Sequence, residues 1–363
     1  MSQKALIAMS GGVDSSVAAW MMKEQGFDCM GAMMKLYENE DAGIPAHQTC
    51  CSLEDAEDAR SVAFRLGMPF YVFNYKEDFC TQVMDRFAAS YEAGETPNPC
   101  IECNRYMKFE KLLQRAKELQ MDYVVTGHYA RIVEENGRYL LKKGLDESKD
   151  QSYVLYMLNQ EQLAHIRLPL GELRKTEVRE IAEREGFLNA HKHDSQDICF
   201  VPDGDYAKVI ELHTEKKAVP GNFVDKNGKI LGRHRGIIHY TIGQHRWLGI
   251  DLPGKRYVCR ICPKDNTVML GTAEELFGSE VFAEDFNWIS GEAPVSPLRC
   301  MVKIRYRQPE QRATVTPVGE NAACIVFDEP QRAITPGQAA VPYDGETVLG
   351  GGIIAAEEEG GST

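Results

Sequence analysis

The sequence predicts an α/β chain. A parallel sheet covered by helices occupies about residues 1–205, a small linker domain about 206–280, and a C-terminal β-barrel about 281–363. Three observations predict this. Short apolar runs alternate with helical patterns as far as Cys199. Beyond Pro202 the texture changes to short β-rich runs between turn signals. The first apolar run leads directly into a glycine- and hydroxyl-rich loop at the start of a helix.

The elements follow in order. "ALIAM" (Ala5–Met9) reads as a buried strand, and "SSVAAWMMKEQG" as a helix ending at Gly26. Cys29–Tyr37 is a second strand. Leu53–Leu66 is helical with Ser52 as its N-cap, because a short hydroxyl side chain can accept from an otherwise unpaired amide of the first turn. Phe70–Tyr75 is a third strand, Phe79–Ala93 and Phe109–Leu119 are helices, and Tyr123–Gly127 is a fourth strand. Alternation of this kind implies a parallel sheet with helices on both faces. In the second half, "PGN", "KNG", "LPG", "PKDN" and "TPGQ" punctuate the chain. "RCMVKIRYR", "ATVTPV", "AACIVF" and "QAAVPY" have the β-rich character of a small barrel or sandwich. The domain changes fall near 205–215 and 275–285.

Composition narrows the function. At 363 residues the chain has room for two or three domains. It is 43% hydrophobic and 26% charged, ordinary for a soluble protein. No apolar run approaches the roughly 20 residues that span a membrane, and the first ten residues are too quickly polar for a signal peptide. A cytoplasmic location is expected. Eleven cysteines, an odd count, argue against a disulfide framework and leave buried thiols, catalysis or metal binding. A net charge of −13 speaks against nucleic acid when taken alone, but a local basic patch is what binds it.

The loop is Ser10-Gly11-Gly12-Val13-Asp14-Ser15-Ser16. It lacks the lysine of the common nucleotide-binding loop. Its glycines admit a ligand close to the backbone, and the serines and helix-start amides are donors to an anion. Asp14 would repel a bare phosphate but suits a Mg²⁺ already bound to one. The loop therefore fits a metal–pyrophosphate group, and with it ATP cleaved between its α- and β-phosphates. Ser10–Ser15, Met34-Lys35 and Thr126–Arg131 all fall at carboxyl ends of strands, where open parallel sheets bind ligands.

Here the chain resembles the PP-loop (HUP-like, adenine nucleotide α-hydrolase-like) ATP pyrophosphatases, and within them the tRNA-specific 2-thiouridylases. The resemblance rests on "SGGVDSSV", "GAMMKLY", "TPNPCIECNRYMKF", "VVTGHYAR", "SKDQSYVLY", "DSQDICFV", "HYTIGQHRWLGI" and "VKIRYRQ", in that order along nearly the whole chain. It implies an ATP-dependent enzyme that replaces the C2 oxygen of a tRNA wobble uridine with sulfur. It implies ATP contacts at Ala8, Met9, Ser10, Gly11, Gly12, Val13, Asp14, Ser15, Met34 and Gly127, with Mg²⁺ held through Asp14. The target base would lie near Asn98, Pro99 and Cys100. Other tRNA contacts would be His128, Lys149, Asp150, Gln151, Arg305, Tyr306 and Gln338. Asp150, being acidic, is expected to face a base edge or an arginine rather than phosphate. A sulfur-donor protein, a cysteine desulfurase or sulfur carrier, is the further partner implied.

The chemistry asks for two thiols that meet in space: one to carry sulfur as a persulfide, a second to release it. The resemblance assigns the nucleophile to Cys103, read here as a loop residue, and the persulfide to Cys199. An aspartate usually follows "PNP" in this family; here Cys100 does, making Cys100-x-x-Cys103. Cys100, Cys103 and Cys199 would together supply three thiolates, enough to hold a [4Fe–4S] cluster with one iron open. Both sulfur routes stand at this point. Cys259 and Cys262 form a second C-x-x-C, read as strand thiols. "QHRW" and "KIRYR" mix cations with an aromatic ring, which suits a looped-out base.

Overall fold

A computed structural model describes residues 2–38, 53–192 and 198–356. Ser52, the adjacent Cys50 and Cys51, residues 193–197 of the "DSQDICFV" motif and the acidic tail 357–363 lie outside them.

The N-terminal sheet contains β1 (Lys4–Ala8), β2 (Asp28–Lys35), β3 (Phe70–Asn74), β4 (Tyr123–Val125) and β7 (Ile166–Arg167), in the order β3-β2-β1-β4-β7. Every neighbouring pair is parallel. The apolar runs make this possible. Ala5, Leu6 and Ile7 are fully buried and divide between two faces, Ala5 and Ile7 toward α1 (Val13–Glu24) and α2 (Leu53–Arg65), Leu6 toward Leu112–Glu118. The chain runs outward from β1 to β3 and then restarts at β4 beside β1. The crevice of such a sheet opens at that reversal, beyond the carboxyl ends of β1 and β4.

The second sheet orders β8 (Gly221–Val224), β9 (Ile230–His234), β10 (Tyr257–Cys262) and β11 (Thr267–Gly271) as β10-β11-β8-β9. Cys259 and Cys262 lie on β10, as the sequence reading placed them. The third sheet runs β13 (Leu298–Lys303), β14 (Gln311–Val318), β15 (Ala322–Arg332), β12 (Phe277–Trp288), β18 (Gly350–Ile354), β16 (Ala339–Asp344), and β13 pairs with β16 to close a six-stranded barrel.

Besides the short strand β7, two features were not anticipated. The hairpin of β5 (Ala130–Glu135) and β6 (Arg138–Lys143), which follows β4 in sequence, joins the barrel sheet through β17 (Thr347–Val348). It thereby ties the first and last parts of the chain together. Second, Cys103 is helical rather than in a loop. Asn98 Oδ1 accepts the Cys100 amide at 3.2 Å, Pro99 occupies the first turn, and helix Pro99–Glu102 continues into a π-helical stretch, Cys103–Lys111, and then Leu112–Glu118. The two prolines of "PNP" suggested a loop, but Pro is well tolerated at the start of a helix, where its missing N–H has no partner to lose. A second π-turn, Cys80–Met84, interrupts the run from Lys76 to Glu92. Among the described residues, no helix is long and apolar enough to cross a membrane.

Candidate active site

The loop after β1 is shaped by contacts that only its residues allow. Gly11 has φ +79°, and a Cβ there would lie 2.4 Å from the Asp55 carbonyl oxygen. Ser15 and Ser16 hydroxyls both donate to the Gly12 carbonyl at 3.0 Å, and the Ser10 amide donates to Ser15 Oγ at 3.2 Å. The result is a tight turn that leads into the amino end of α1. Gly127 comes so close to this turn that a Cβ would meet the Asp14 carbonyl carbon at 2.9 Å. Met33 packs into the core beside α1, while Met34 on the opposite face of β2 is half-buried.

Asp14 has partners the sequence reading missed. Lys175 Nζ donates to both carboxylate oxygens at 2.7 and 2.8 Å, and the Tyr129 hydroxyl donates to Oδ1 at 2.7 Å. Lys175 is buried at the first position of helix Lys175–Arg184, some 160 residues downstream. Asn189 is buried too, and donates to the Gly11 carbonyl at 2.8 Å and to Ser16 Oγ at 2.9 Å. The cation absent from the loop is thus supplied from a distant helix. No short motif advertises such a residue.

A cavity of about 1190 Å³ opens from this loop. Its lining includes Ala8, Met9, Ser10, Gly12, Val13, Asp14, Ser15, Met34 and Gly127; Gly11 lies behind the turn. The same cavity reaches Pro99, Cys100, Cys103, His128, Lys149, Asp150, Gln151, Cys199 and Tyr306. Cys103 and Cys199 both pack against one apolar cluster, which includes Tyr37, Phe79 and Phe200. The Tyr37 hydroxyl donates to the Cys199 carbonyl at 2.7 Å. Three residues named from sequence face elsewhere. Asn98 caps its helix. Arg305 donates to the carbonyls of Ile242 and Ala333, both at 3.2 Å, and to the Thr335 hydroxyl. Gln338 donates to the Thr96 carbonyl at 2.6 Å, holding the "TPNP" segment against the barrel.

Charge in the cavity is mixed: Asp14, Glu54, Asp55, Glu147 and Asp150 line it, with Lys175 paired to Asp14 and Lys192 to Asp55. Lys108, Lys149, Lys175, Lys192, Lys303 and Arg307 all border it, although the whole chain is acidic. Asp150 makes its described hydrogen bonds within its own turn rather than to an arginine. Its oxygens accept from the Gly144 and Ser152 amides and the Ser152 hydroxyl at 3.0, 3.1 and 2.8 Å. Cys100 opens to the cavity, yet dense surrounding protein and the neighbouring Cys103 push its thiol up to about 11, with Lys108 opposing. Burial likewise raises the Cys103 thiol, and Lys108 pulls it back in part. Burial and the Lys108 charge hold His128 well below the usual imidazole range, so it is neutral at neutral pH. Its Nδ1 lies 2.7 Å from the Thr126 hydroxyl.

This combination of a phosphate-type loop and two or three thiols on one cavity can be set beside known proteins. The sequence profile "tRNA methyl transferase HUP domain" matches residues 3–203, "tRNA methyl transferase PRC-barrel domain" 207–272, and "Aminomethyltransferase beta-barrel domain" 279–354. A tRNA-specific 2-thiouridylase MnmA of Clostridioides difficile is 50% identical over 356 residues, covering 98% of each chain. The chain belongs to the tRNA-specific 2-thiouridylase family. Family members from Clostridium acetobutylicum and Acetivibrio thermocellus are 48% and 49% identical, covering 98% and 97% of this chain and 100% and 99% of their own. With this thiouridylase relationship over the whole length, the three sheets correspond to the HUP, PRC-barrel and C-terminal barrel regions of the family. The family's HUP domain carries the PP-loop and with it the use of ATP.

Proposed function

We propose that the protein is an ATP-dependent tRNA-uridine 2-sulfurtransferase acting on the wobble uridine. The observation that carries this reading is the single cavity that holds the PP-loop at one part of its wall and Cys103 and Cys199 at another. The 2-thiouridylase name of relatives at about half identity supports it.

ATP is the activating substrate. The uridine C2 oxygen would attack its α-phosphorus, forming an adenylate and expelling pyrophosphate. The turn at Ser10–Ser15 and the start of α1 would hold the phosphates. Lys175 and the other cavity cations would offset their charge. Asp14 and the loop hydroxyls form the hard-oxygen donor set that fits Mg²⁺. For Asp14 to bind the ion, Lys175 must move from the carboxylate to the phosphates, so the Asp14–Lys175 pair is a resting arrangement that substrate redistributes.

Sulfur transfer would follow within the same cavity. The terminal sulfur of a Cys199 persulfide attacks C2, and AMP leaves with the oxygen. The Cys103 thiolate attacks the Cys199 sulfur, cleaving the S–S bond and leaving the transferred sulfur on the base. A Cys103–Cys199 disulfide results, which a thiol reductant must open before a desulfurase or carrier protein reloads Cys199. The target base has to leave its stack to enter, since C2 is otherwise unreachable. Pro99 and Cys100 would border it, on the helix that Asn98 caps. His128, Lys149, Asp150, Gln151 and Tyr306 would contact tRNA. Arg305 and Gln338 would act by fixing the barrel and the "TPNP" segment.

A second sulfur route is favoured by one observation: Cys100 borders the same cavity as Cys103 and Cys199. Three thiolates fit a [4Fe–4S] cluster, which when bound would supply an open iron for sulfide. Iron and acid-labile sulfide, assayed on protein purified without oxygen, separate the two routes. The persulfide route expects no iron in protein that still thiolates tRNA. About four of each per chain, lost in Cys100→Ala, would replace it with the cluster. A sulfur-independent ligase on the same loop would show an activity indifferent to Cys199→Ser.

A further inference from the structure

We propose that Cys80, Asp85 and His213 form a binding site for a transition-metal ion of the zinc class, separate from the PP-loop and thiol cavity. One donor atom from each residue lies within 4.8 Å of the other two, the only such grouping of three among the described residues. None of the three lines the cavity described above.

Backbone geometry accounts for the convergence. In a regular α-helix, residues five apart diverge by about 140° around the axis. Here the chain makes a π-turn over Cys80–Met84, and the Asp85 amide donates to the Cys80 carbonyl, an i to i+5 bond. That extra residue in the turn brings Cys80 and Asp85 back toward one face. Single π-turns cost hydrogen-bond quality and recur at functional positions. The third donor arrives from a different element. His213 sits in the last turn of helix Tyr206–Thr214, and its Nε2 lies 2.6 Å from Asp85 Oδ1. Glu215 ends that helix in the left-handed region, φ +55°.

The donor set selects the ion. Thiolate, imidazole and carboxylate together suit Zn²⁺ and its neighbours rather than Mg²⁺ or Ca²⁺, which prefer all-oxygen shells. Tetrahedral ligands at zinc distances stand about 3.3–3.7 Å apart. His213 Nε2 and Asp85 Oδ1 are closer than that, at hydrogen-bond distance. The Asp85 side chain is 55% exposed and can rotate, whereas that of His213, at 14%, is held by packing. Binding would replace the His213–Asp85 hydrogen bond, release the Cys80 thiol proton to solvent, and leave a fourth position for water.

Position gives the site a structural consequence. Phe200, next to Cys199, packs edge-to-face on Phe79 and Phe87, with ring centroids 5.7 and 5.3 Å apart. Tyr206 stacks on Tyr91 at 6.1 Å. The metal would fasten the far end of this same segment, at His213, to the helical run that carries Phe79 and Phe87. It would thus fix the segment that begins at Cys199.

The test is a Co²⁺ titration of reduced, metal-stripped full-length protein, without ATP or tRNA, so that its outcome is independent of the thiolation reading. The expected result is one ion per chain with a thiolate-to-cobalt charge-transfer band. The band should persist in a Cys103→Ser/Cys199→Ser double variant and vanish in Cys80→Ser. His213→Asn should weaken binding by about 100-fold or more, exceeding the usual effect of an outer-shell change. Circular dichroism of Cys80→Ser and His213→Asn checks that each is folded, and Asp85→Asn provides a third, surface-exposed variant. No band, or a band that survives Cys80→Ser or is lost with Cys103 and Cys199, would overturn the site.

Discussion

At the residue scale, the Asp14–Lys175 pair decides how a loop without lysine can work. Lys175→Met should lower kcat for tRNA-dependent pyrophosphate release by about 100-fold, the usual scale for one preorganised charge donor. It should also cost about 1–3 kcal/mol of stability, between the limits for exposed and buried pairs. Thermal melting and a pyrophosphate assay read the two effects. Lys108 governs a different property. Burial raises the Cys103 thiol and the Lys108 charge lowers it, so Lys108→Met must raise it further. The pH profile for alkylation of Cys103 should move to higher pH, read on a chain in which Cys100 and Cys199 are serine. A profile that moves down or stays fixed would remove Lys108 from that role. The sequence made the turn at Gly11 and Asp14 legible because loop geometry is written in local order, whereas Cys103 and Cys199 were singled out by the family resemblance. Lys175, Tyr129 and Asn189 were not legible, because each reaches the loop from more than 110 residues away.

At the scale of elements, the helix that carries Cys100 and Cys103 is started by one hydrogen bond. Asn98→Ala removes the cap on the Cys100 amide and should destabilise the protein by about 1 kcal/mol. Hydrogen exchange should quicken at Cys100–Cys103 ahead of the rest of the helix. Uniform exchange would mean that the π-helical stretch, with Asn104 Nδ2 bonded to the Val154 carbonyl at 2.9 Å, holds the element unaided. Four of the five strands of the parallel sheet were readable from apolar runs, β1 most clearly because it is covered on both faces, whereas the two-residue β7 was not. The start of this helix was not readable. Prolines and asparagine mark loops and helix starts alike, and only the capping geometry distinguishes them.

At the scale of the whole molecule, the site exists only when several distant stretches meet. The loop after β1, the helix from Pro99 and the barrel segment that includes Lys303 and Tyr306 share one cavity, and the β5–β6 hairpin built into the barrel sheet holds them in register. The fold class was visible from the change in texture near Pro202, but this hairpin's allegiance to the barrel was not, because strand partners are set by topology and not by local pattern. The acidic chain must meet tRNA through local features. Trp247 is 85% exposed with φ +61°, and near it His245 packs on the Tyr257 ring, which Lys255 and Arg332 each approach at 5.3 Å. Trp288 is buried and Trp20 half-buried, so tRNA should quench mainly Trp247. Quenching that remains in Trp247→Phe would place the contact elsewhere.

The measurement that tests the central claim most directly follows pyrophosphate release and 2-thiouridine formation together in Cys199→Ser with tRNA, ATP and a loaded sulfur donor. Activation at the PP-loop and sulfur delivery at Cys199 are separate steps in one cavity, so the variant should keep tRNA-dependent pyrophosphate release and lose 2-thiouridine. Retention of 2-thiouridine would contradict the assignment of sulfur transfer to Cys199. Absence of tRNA-dependent pyrophosphate release in the unaltered protein would contradict the account as a whole.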